Sequence, residues 1–277
     1  MISKGFTIKL NLPSGASARV PELTNRHYLS IIKYSENKDY EGVNTYLHEL
    51  LNIDSSLDII DRFYLMIAYR MIFVNESLIF KNDAQNTLEY DLNLVLQKLE
   101  AAYTNYDSII EDKGVHITVG LPRSLYFNSI DDIYDSIIKS IILNNKHIIF
   151  SELSATEKET ILSHLPQTVF VKMNSYIDRL SEMFEGIVIM DDNPQFNLDT
   201  LKVDIISNGM IAFIAAIYSH NIIDYMEVLY GYLTKICPNP ELFYGLSPID
   251  TKVMLNIHNR EVERANEALQ TESPGPN

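Results

Sequence analysis

From Phe6 onward, apolar and polar residues alternate. Phe6, Ile8, Leu10 and Leu12 fall on one side, with Thr7, Lys9 and Asn11 on the other. A period of two marks a strand with one face buried. Pro13-Ser14-Gly15 then turns the chain, Ala16 to Val20 can return as the second arm of a hairpin, and Pro21 ends it. Beyond Pro21 the period lengthens. Thr24 or Asn25 can cap a helix carrying Tyr28, Leu29, Ile31 and Ile32. Asp39 opens a second, with Val43, Tyr46, Leu47, Leu50 and Leu51 at helical spacing.

The stretch SSLDIIDRFYLMIAYRMIF, Ser55 to Phe73, predicts a third helix with an unusual charge content. Ser55-Ser56-Leu57-Asp58 has the form of a capping box, in which a serine oxygen and an acid each serve a free amide. Ile60, Phe63, Tyr64, Ile67, Met71 and Val74 define one apolar face, while Asp58, Arg62, Met66 and Arg70 recur every four residues beside it. Asp58 precedes Arg62 in the favourable orientation for a helical ion pair. If other elements cover this stripe, both arginines need acceptors, because an unpaired buried charge costs several kcal/mol. A structural ion pair or a carbonyl-capping arginine is the first reading, a partner-facing arginine the second and catalysis the third.

Further along, Leu78 to Phe80 reads as a short strand and Leu88 to Val95 alternates loosely as another. A helix is expected over Leu96 to Ile110, broken by Gly114, with a strand in Val115 to Pro122. Asp131 to Leu143 and Lys146 to Phe150 are apolar stretches compatible with helix or strand. Ser154-Ala155-Thr156-Glu157 is a second capping box, starting a helix toward His164. Thr168 to Phe184 should be helical and end near Gly186, with Gly186 to Met190 as a strand. Leu198 to Tyr218, Ile222 to Ile236 and Pro248 to about Leu269 predict helices, and Thr271 to Asn277 a frayed tail. The expected fold is α+β, with an N-terminal β-hairpin, small antiparallel sheet elements, a majority of helices and a helical C-terminal third. Residues 1–190 are expected to form the α+β domain, 191–270 a helical region packed on it, and 271–277 a disordered tail.

Composition narrows the function classes. Among 277 residues, 37 acids oppose 22 lysines and arginines, a formal net charge of −15. No basic stretch supplies a footprint for a phosphate backbone, which argues against nucleic-acid binding and docking on an anionic membrane. Cys237 is the only cysteine, so no intrachain disulfide can form, and its place in KICPNP suits a helix end better than a nucleophile. The N-terminus has no signal-peptide pattern. Ile205 to Tyr218, the most apolar run, is shorter than the roughly 20 residues of a spanning helix.

Candidate chemistry is sparse. His27, His48, His116, His147, His164, His220 and His258 include no pair at helical zinc spacing. The acidic loop Asp191 to Thr200 fails the EF-hand pattern, since Phe196 and Lys202 stand where glycine and glutamate are required. There is no dinucleotide or P-loop glycine pattern and no G-x-S-x-G elbow. Acid pairs such as Asp131-Asp132 carry no weight without geometry. The reading assigns no catalytic, cofactor-binding or metal-binding residue and no cofactor. An enzyme with a site assembled near Arg62 and Arg70 is the alternative.

Several stretches carry more than periodicity. After the hairpin come Val20-Pro21-Glu22-Leu23, the acid-glycine step Glu41-Gly42, Asp61-Arg62-Phe63-Tyr64-Leu65, and Arg70-Met71-Ile72-Phe73. In this order they resemble the baseplate hub assembly family of T-even-type contractile-tailed bacteriophages, clearly so to about residue 100. The resemblance implies a non-enzymatic role: an assembly chaperone or minor component of the central hub of the tail baseplate. It also implies other phage baseplate hub proteins as partners, and a location in the host cytoplasm during assembly or in the virion. Tyrosines, methionines and isoleucines are compatible with adaptable contact surfaces. A host-directed regulatory binder sharing the fold is a further alternative. The helix from Pro248, with Val253, Ile257, Val262, Ala265 and Leu269 on a ragged stripe, is the candidate docking element; the plainer reading is that it packs on its own domain.

Overall fold

The computed structural model describes residues 7–81, 87–104, 106–112, 114–143, 146–188, 203–220 and 222–272. The hairpin forms as expected. Strands β1 (Thr7–Asn11) and β2 (Ser17–Pro21) pair antiparallel with Ile8 opposite Val20 and Leu10 opposite Ala18. Gly15 takes φ +84° in the turn, a conformation costly for other residues. Helix α1 (Asn25–Glu36) is capped by Thr24 and buries Tyr28, Ile31 and Ile32. Helix α2 (Tyr40–Leu51) is capped by Asp39, whose carboxylate accepts from the Gly42 amide at 2.9 Å. A Cβ on Gly42 would lie 2.5 Å from both that carboxylate and the Tyr34 ring, which ties the acid-glycine step to this close approach.

Helix α3 (Ile59–Phe73) departs from expectation at its start and in its surroundings. The cap is Asp58, whose side chain accepts from Asp61 N, whereas Ser56 is held by Asp54 in a turn just upstream. All but three of its residues are buried, so the charged stripe lies inside the core and not beside it. Strands β3 (Ser77–Lys81) and β4 (Thr87–Asp91) form a second hairpin. The alternation that runs on to Val95 ends structurally at Asp91, which caps helix α4 (Leu92–Ala102).

The helix expected to reach Ile110 stops at Ala102. Ser108–Asp112 is strand β5 instead, paired with β6 (Val115–Val119) across a turn at Gly114, φ +83°. The undecided stretch divides in two. Ser129 and Asp132 form a reciprocal capping box that starts helix α5 (Ile130–Ile137), and the chain passes directly into β7 (Ile138–Leu143), then β8 (Lys146–Ile149). These strands make an antiparallel sheet in the order β5-β6-β7-β8. A single turn at Phe150–Glu152 leads to helix α6 (Ala155–His164), which carries the predicted Ser154–Glu157 capping box.

Helix α7 (Gln167–Val188) runs through Gly186, so Gly186 to Val188 are helical and not a strand; Ile189 and Met190 lie outside the described residues. Burial at Met173, Ile177, Leu180, Phe184, Ile187 and Val188 keeps the helical period past the glycine, and packing overrides the weak breaker. The helix expected from Leu198 begins at Gly209, with residues 198–202 outside the described set. Asn208 adopts φ +60°, accepts from Phe127 N at 2.7 Å and donates to Phe127 O at 2.9 Å, a clamp that fixes where α8 (Gly209–Ser219) starts. The chain then forms α9 (Ile222–Lys235), a short α10 (Pro240–Gly245) that periodicity did not reveal, and α11 (Pro248–Glu272), which continues into the stretch read as tail.

One apolar cluster extends from Leu12 to Phe243. At its centre α8 packs against α1, α2 and α3. Phe63 meets Phe184 edge-on at 5.9 Å and Phe213 at 5.6 Å, which joins α3 to α7 and α8. The architecture is α+β with small antiparallel sheets and a helical C-terminal region.

Candidate functional site

The two arginines of α3 resolve into the carbonyl-capping form. Arg62 donates from Nε to Leu57 O at 2.8 Å and from Nη2 to Asp54 O at 3.1 Å, closing the backbone that leads into the helix. Asp58 does not pair with it; besides capping α3, Asp58 accepts from the Tyr103 hydroxyl at 3.0 Å. Arg70, 1% exposed, donates from Nε to Ile217 O at 2.6 Å and from Nη1 to both Asn75 O and Asn75 Oδ1. Burial depresses the basicity of both guanidiniums.

Around Arg70 the tyrosines form a chain. Tyr28 donates to Tyr218 O at 3.0 Å, and Tyr218 donates to Met66 O at 3.0 Å. Burial raises the pKa of both phenols. Thus α1, α3 and α8 are stitched by side chain to backbone bonds in the buried interior, where each satisfied polar group avoids a desolvation cost of about 1–3 kcal/mol.

Two further buried polar groups escaped the sequence reading. Asp61, 1% exposed, accepts from Ser14 N at 3.1 Å and Ser14 Oγ at 2.5 Å, pinning the hairpin turn to α3. Burial pushes its carboxyl up, and the Ser14 bonds pull it back down. Asn25 is fully buried. Its Nδ2 donates to Phe243 O at 2.9 Å and Thr251 Oγ1 at 2.7 Å, and its Oδ1 accepts from Tyr225 at 2.8 Å. This single amide joins α1 to α9, α10 and α11. The signal was present: Asn25, Tyr28, Ile32 and Ser35 recur on one face of α1.

A cleft of about 450 Å³ beside the start of α3 is lined by Asp58, Tyr103, Arg123 and Lys139, with Lys139 paired to Asp107. A smaller cavity of about 100 Å³ borders Arg70, His220, Asp224 and Lys252. That volume is below the several hundred Å³ usual for a substrate pocket, whereas the cleft at the start of α3 reaches it; Arg62 and Arg70, which supported an enzymatic alternative, hold backbone carbonyls. Among the described residues no cluster of three or more His, Cys, Asp or Glu side chains could hold a metal. The acidic loop Asp191 to Thr200 lies outside the described residues. Cys237 is half-buried just past α9. Among the described residues no helix is long and apolar enough to cross a membrane.

What the surface offers is apolar area on the C-terminal helices. Ile223, Met226 and Tyr230 are exposed along α9, Leu242 on α10, and Ile249, Val253, Ile257 and Val262 along α11. Gly231 of α9 lies against Leu255, a Cβ there falling 3.0 Å from the leucine, and Lys235 reaches Asn259 at 3.4 Å. The two helices therefore run side by side until α9 ends. From Arg260 to Glu267 every residue of α11 is exposed, a projection of about 20 Å if counted to Glu272. The first half of α11 thus packs on its own chain, as the plainer reading of this helix expects.

Residues 5–183 match the model of a family described as T4 bacteriophage base plate protein. No curated protein and no solved structure matches the chain.

Proposed function

We propose that this chain, which belongs to the T4 bacteriophage base plate protein family, is a non-enzymatic assembly factor or minor component of the central baseplate hub. Its partners are other baseplate hub proteins, met in the host cytoplasm during assembly. The observation that carries the reading is the division of labour between interior and surface. The charges that could have served chemistry, Asp61, Arg62 and Arg70, hold backbone and turn groups in place. The C-terminal helices, meanwhile, leave isoleucines, methionine and tyrosine exposed. Large apolar and aromatic side chains of this kind are what protein interfaces bury at their centres.

Co-expression with each hub protein, followed by affinity capture, tests the proposal. Stable association with at least one hub protein is expected. Absence of association with all of them would overturn it. Mass spectrometry of mature tails beside isolated assembly intermediates separates the two forms of the role: a component persists in the particle, whereas a chaperone is found only in the intermediates.

A further inference from the structure

Arg70 presents an unfinished electrostatic arrangement. It is 1% exposed, yet its acceptors are a backbone carbonyl of Ile217 and two oxygens of Asn75, all neutral. Among the described residues no carboxylate lies within ion-pair distance of it. A guanidinium buried without a counter-ion bears a desolvation cost that neutral acceptors only partly offset. Nε and Nη1 are used, and Nη2 is left. The guanidinium borders the cavity of about 100 Å³, a space for several water-sized groups.

The other walls of that cavity are mixed: Val74, Val228 and Pro248 are apolar, and Lys252 adds a second cation. Lys252 stands one turn into α11, Asn75 carries a side-chain amide nitrogen, and His220 is held to Ile79 O through Nε2 at 3.0 Å. The first turn of α9 borders the space through Asp224, and Pro248 and Lys252 bring the start of α11 to it; the positive end of each helix dipole favours negative charge. Asp224 is the opposing group and faces the same cavity. It complements the start of its own helix, and it is not paired with Arg70. One anion is missing from this balance.

We infer that the cavity between α3, α9 and α11 is a binding site for a single carboxylate, supplied by an acidic side chain of a docking protein and received by Arg70 Nη2 with Lys252 at the mouth. A carboxylate suits the site because its planar oxygens match guanidinium geometry and its small volume fits. The partner origin rests on the assembly role proposed above; the site itself does not.

The test uses the full-length chain and acetate as the probe. Thermal unfolding is followed in sodium acetate and in sodium chloride at equal ionic strength and constant pH. A saturable rise in Tm specific to acetate is expected, since a ligand that binds only the folded state stabilises it. Lys252→Ala should raise the half-saturating acetate concentration by about threefold, the scale of one exposed charge. Identical curves in acetate and chloride, or unchanged saturation in Lys252→Ala, would overturn the site. The source is tested by Lys252→Glu, which places a carboxylate at the mouth and should reduce co-purification with the hub partner. Full partner retention by Lys252→Glu would refute delivery by a docking protein. Failure of the wild-type chain to bind any hub protein would instead strike at the assembly role and leave the acetate titration to stand alone.

Discussion

The bond between the hairpin and α3 makes a prediction whose size and pH dependence are both fixed by the structure. Ser14→Ala deletes the hydroxyl that donates to Asp61 Oδ2 but keeps the amide that donates to Oδ1. A hydrogen bond to a buried charged group contributes about 1.5–3 kcal/mol, so a loss of about 2 kcal/mol is expected at pH 7. For a chain of this size that lowers Tm by about 4 °C or more.

The pH dependence follows from proton binding. Burial holds the Asp61 carboxyl above its unfolded value, so between the two values the folded state binds the additional proton. Stability associated with this group therefore falls as pH rises through that window. Removing the Ser14 hydroxyl removes an interaction that lowers the pKa, which widens the window upward. The penalty of Ser14→Ala should thus be full above the raised value and shrink to about 1 kcal/mol, the worth of a neutral bond, once Asp61 is protonated. Urea unfolding of both proteins at a series of pH values from 7 down to 4 measures this. In an Asp61→Asn background the pH dependence should vanish. A Ser14→Ala penalty below about 0.5 kcal/mol at pH 7, or one independent of pH, would refute the assignment.

Three other outcomes are expected. Asn25→Ala should cost about 3 kcal/mol in urea unfolding, because Phe243 O, Thr251 and Tyr225 all lose a buried partner. Gly231→Ala should destabilise despite its better helix propensity, by about 1 kcal/mol, and Leu255→Val should relieve the clash in a double-mutant cycle. Truncation after Asn259 should leave the melting temperature within about 2 °C of the full chain, whereas truncation before Pro248 removes buried Thr251 and the Leu255 contact and should unfold the α9 region, as read by circular dichroism and limited proteolysis.

The readable parts of this fold were those governed by neighbours in sequence. The first hairpin, the caps at Thr24, Asp39 and Ser154, and the helices from Ile222 and Pro248 follow from local spacing and capping chemistry. What escaped depended on distant partners. Asp58, not Ser55, caps α3 by accepting from Asp61 N, while the turn before it is closed by Asp54 accepting from Ser56 N. Ser108 to Ile110 became strand because β6 was available to pair. Asn208 starts α8 only through Phe127, 81 residues earlier. The arginines were recognised as needing acceptors, but not where those acceptors would be. Ile217 gives no sign in the sequence that its carbonyl faces Arg70. The family was legible through residues that hold the fold: Gly42 at a close approach, and Asp61, Arg62 and Arg70 in the interior.

The stitching of α3 to α8 has a temporal side. Arg70 and the carbonyl that receives it are 147 residues apart, and α8 lies beyond the span matched by the family model. At roughly 5–20 residues per second on the ribosome, α3 waits about 7–30 s for its partner to emerge. Throughout that interval Arg70 lacks its Ile217 acceptor and Phe63 lacks Phe213. Newly made chains are therefore at their most vulnerable midway through translation, and rapid synthesis would need either a crowd-tolerant nascent chain or an escort to bring it through.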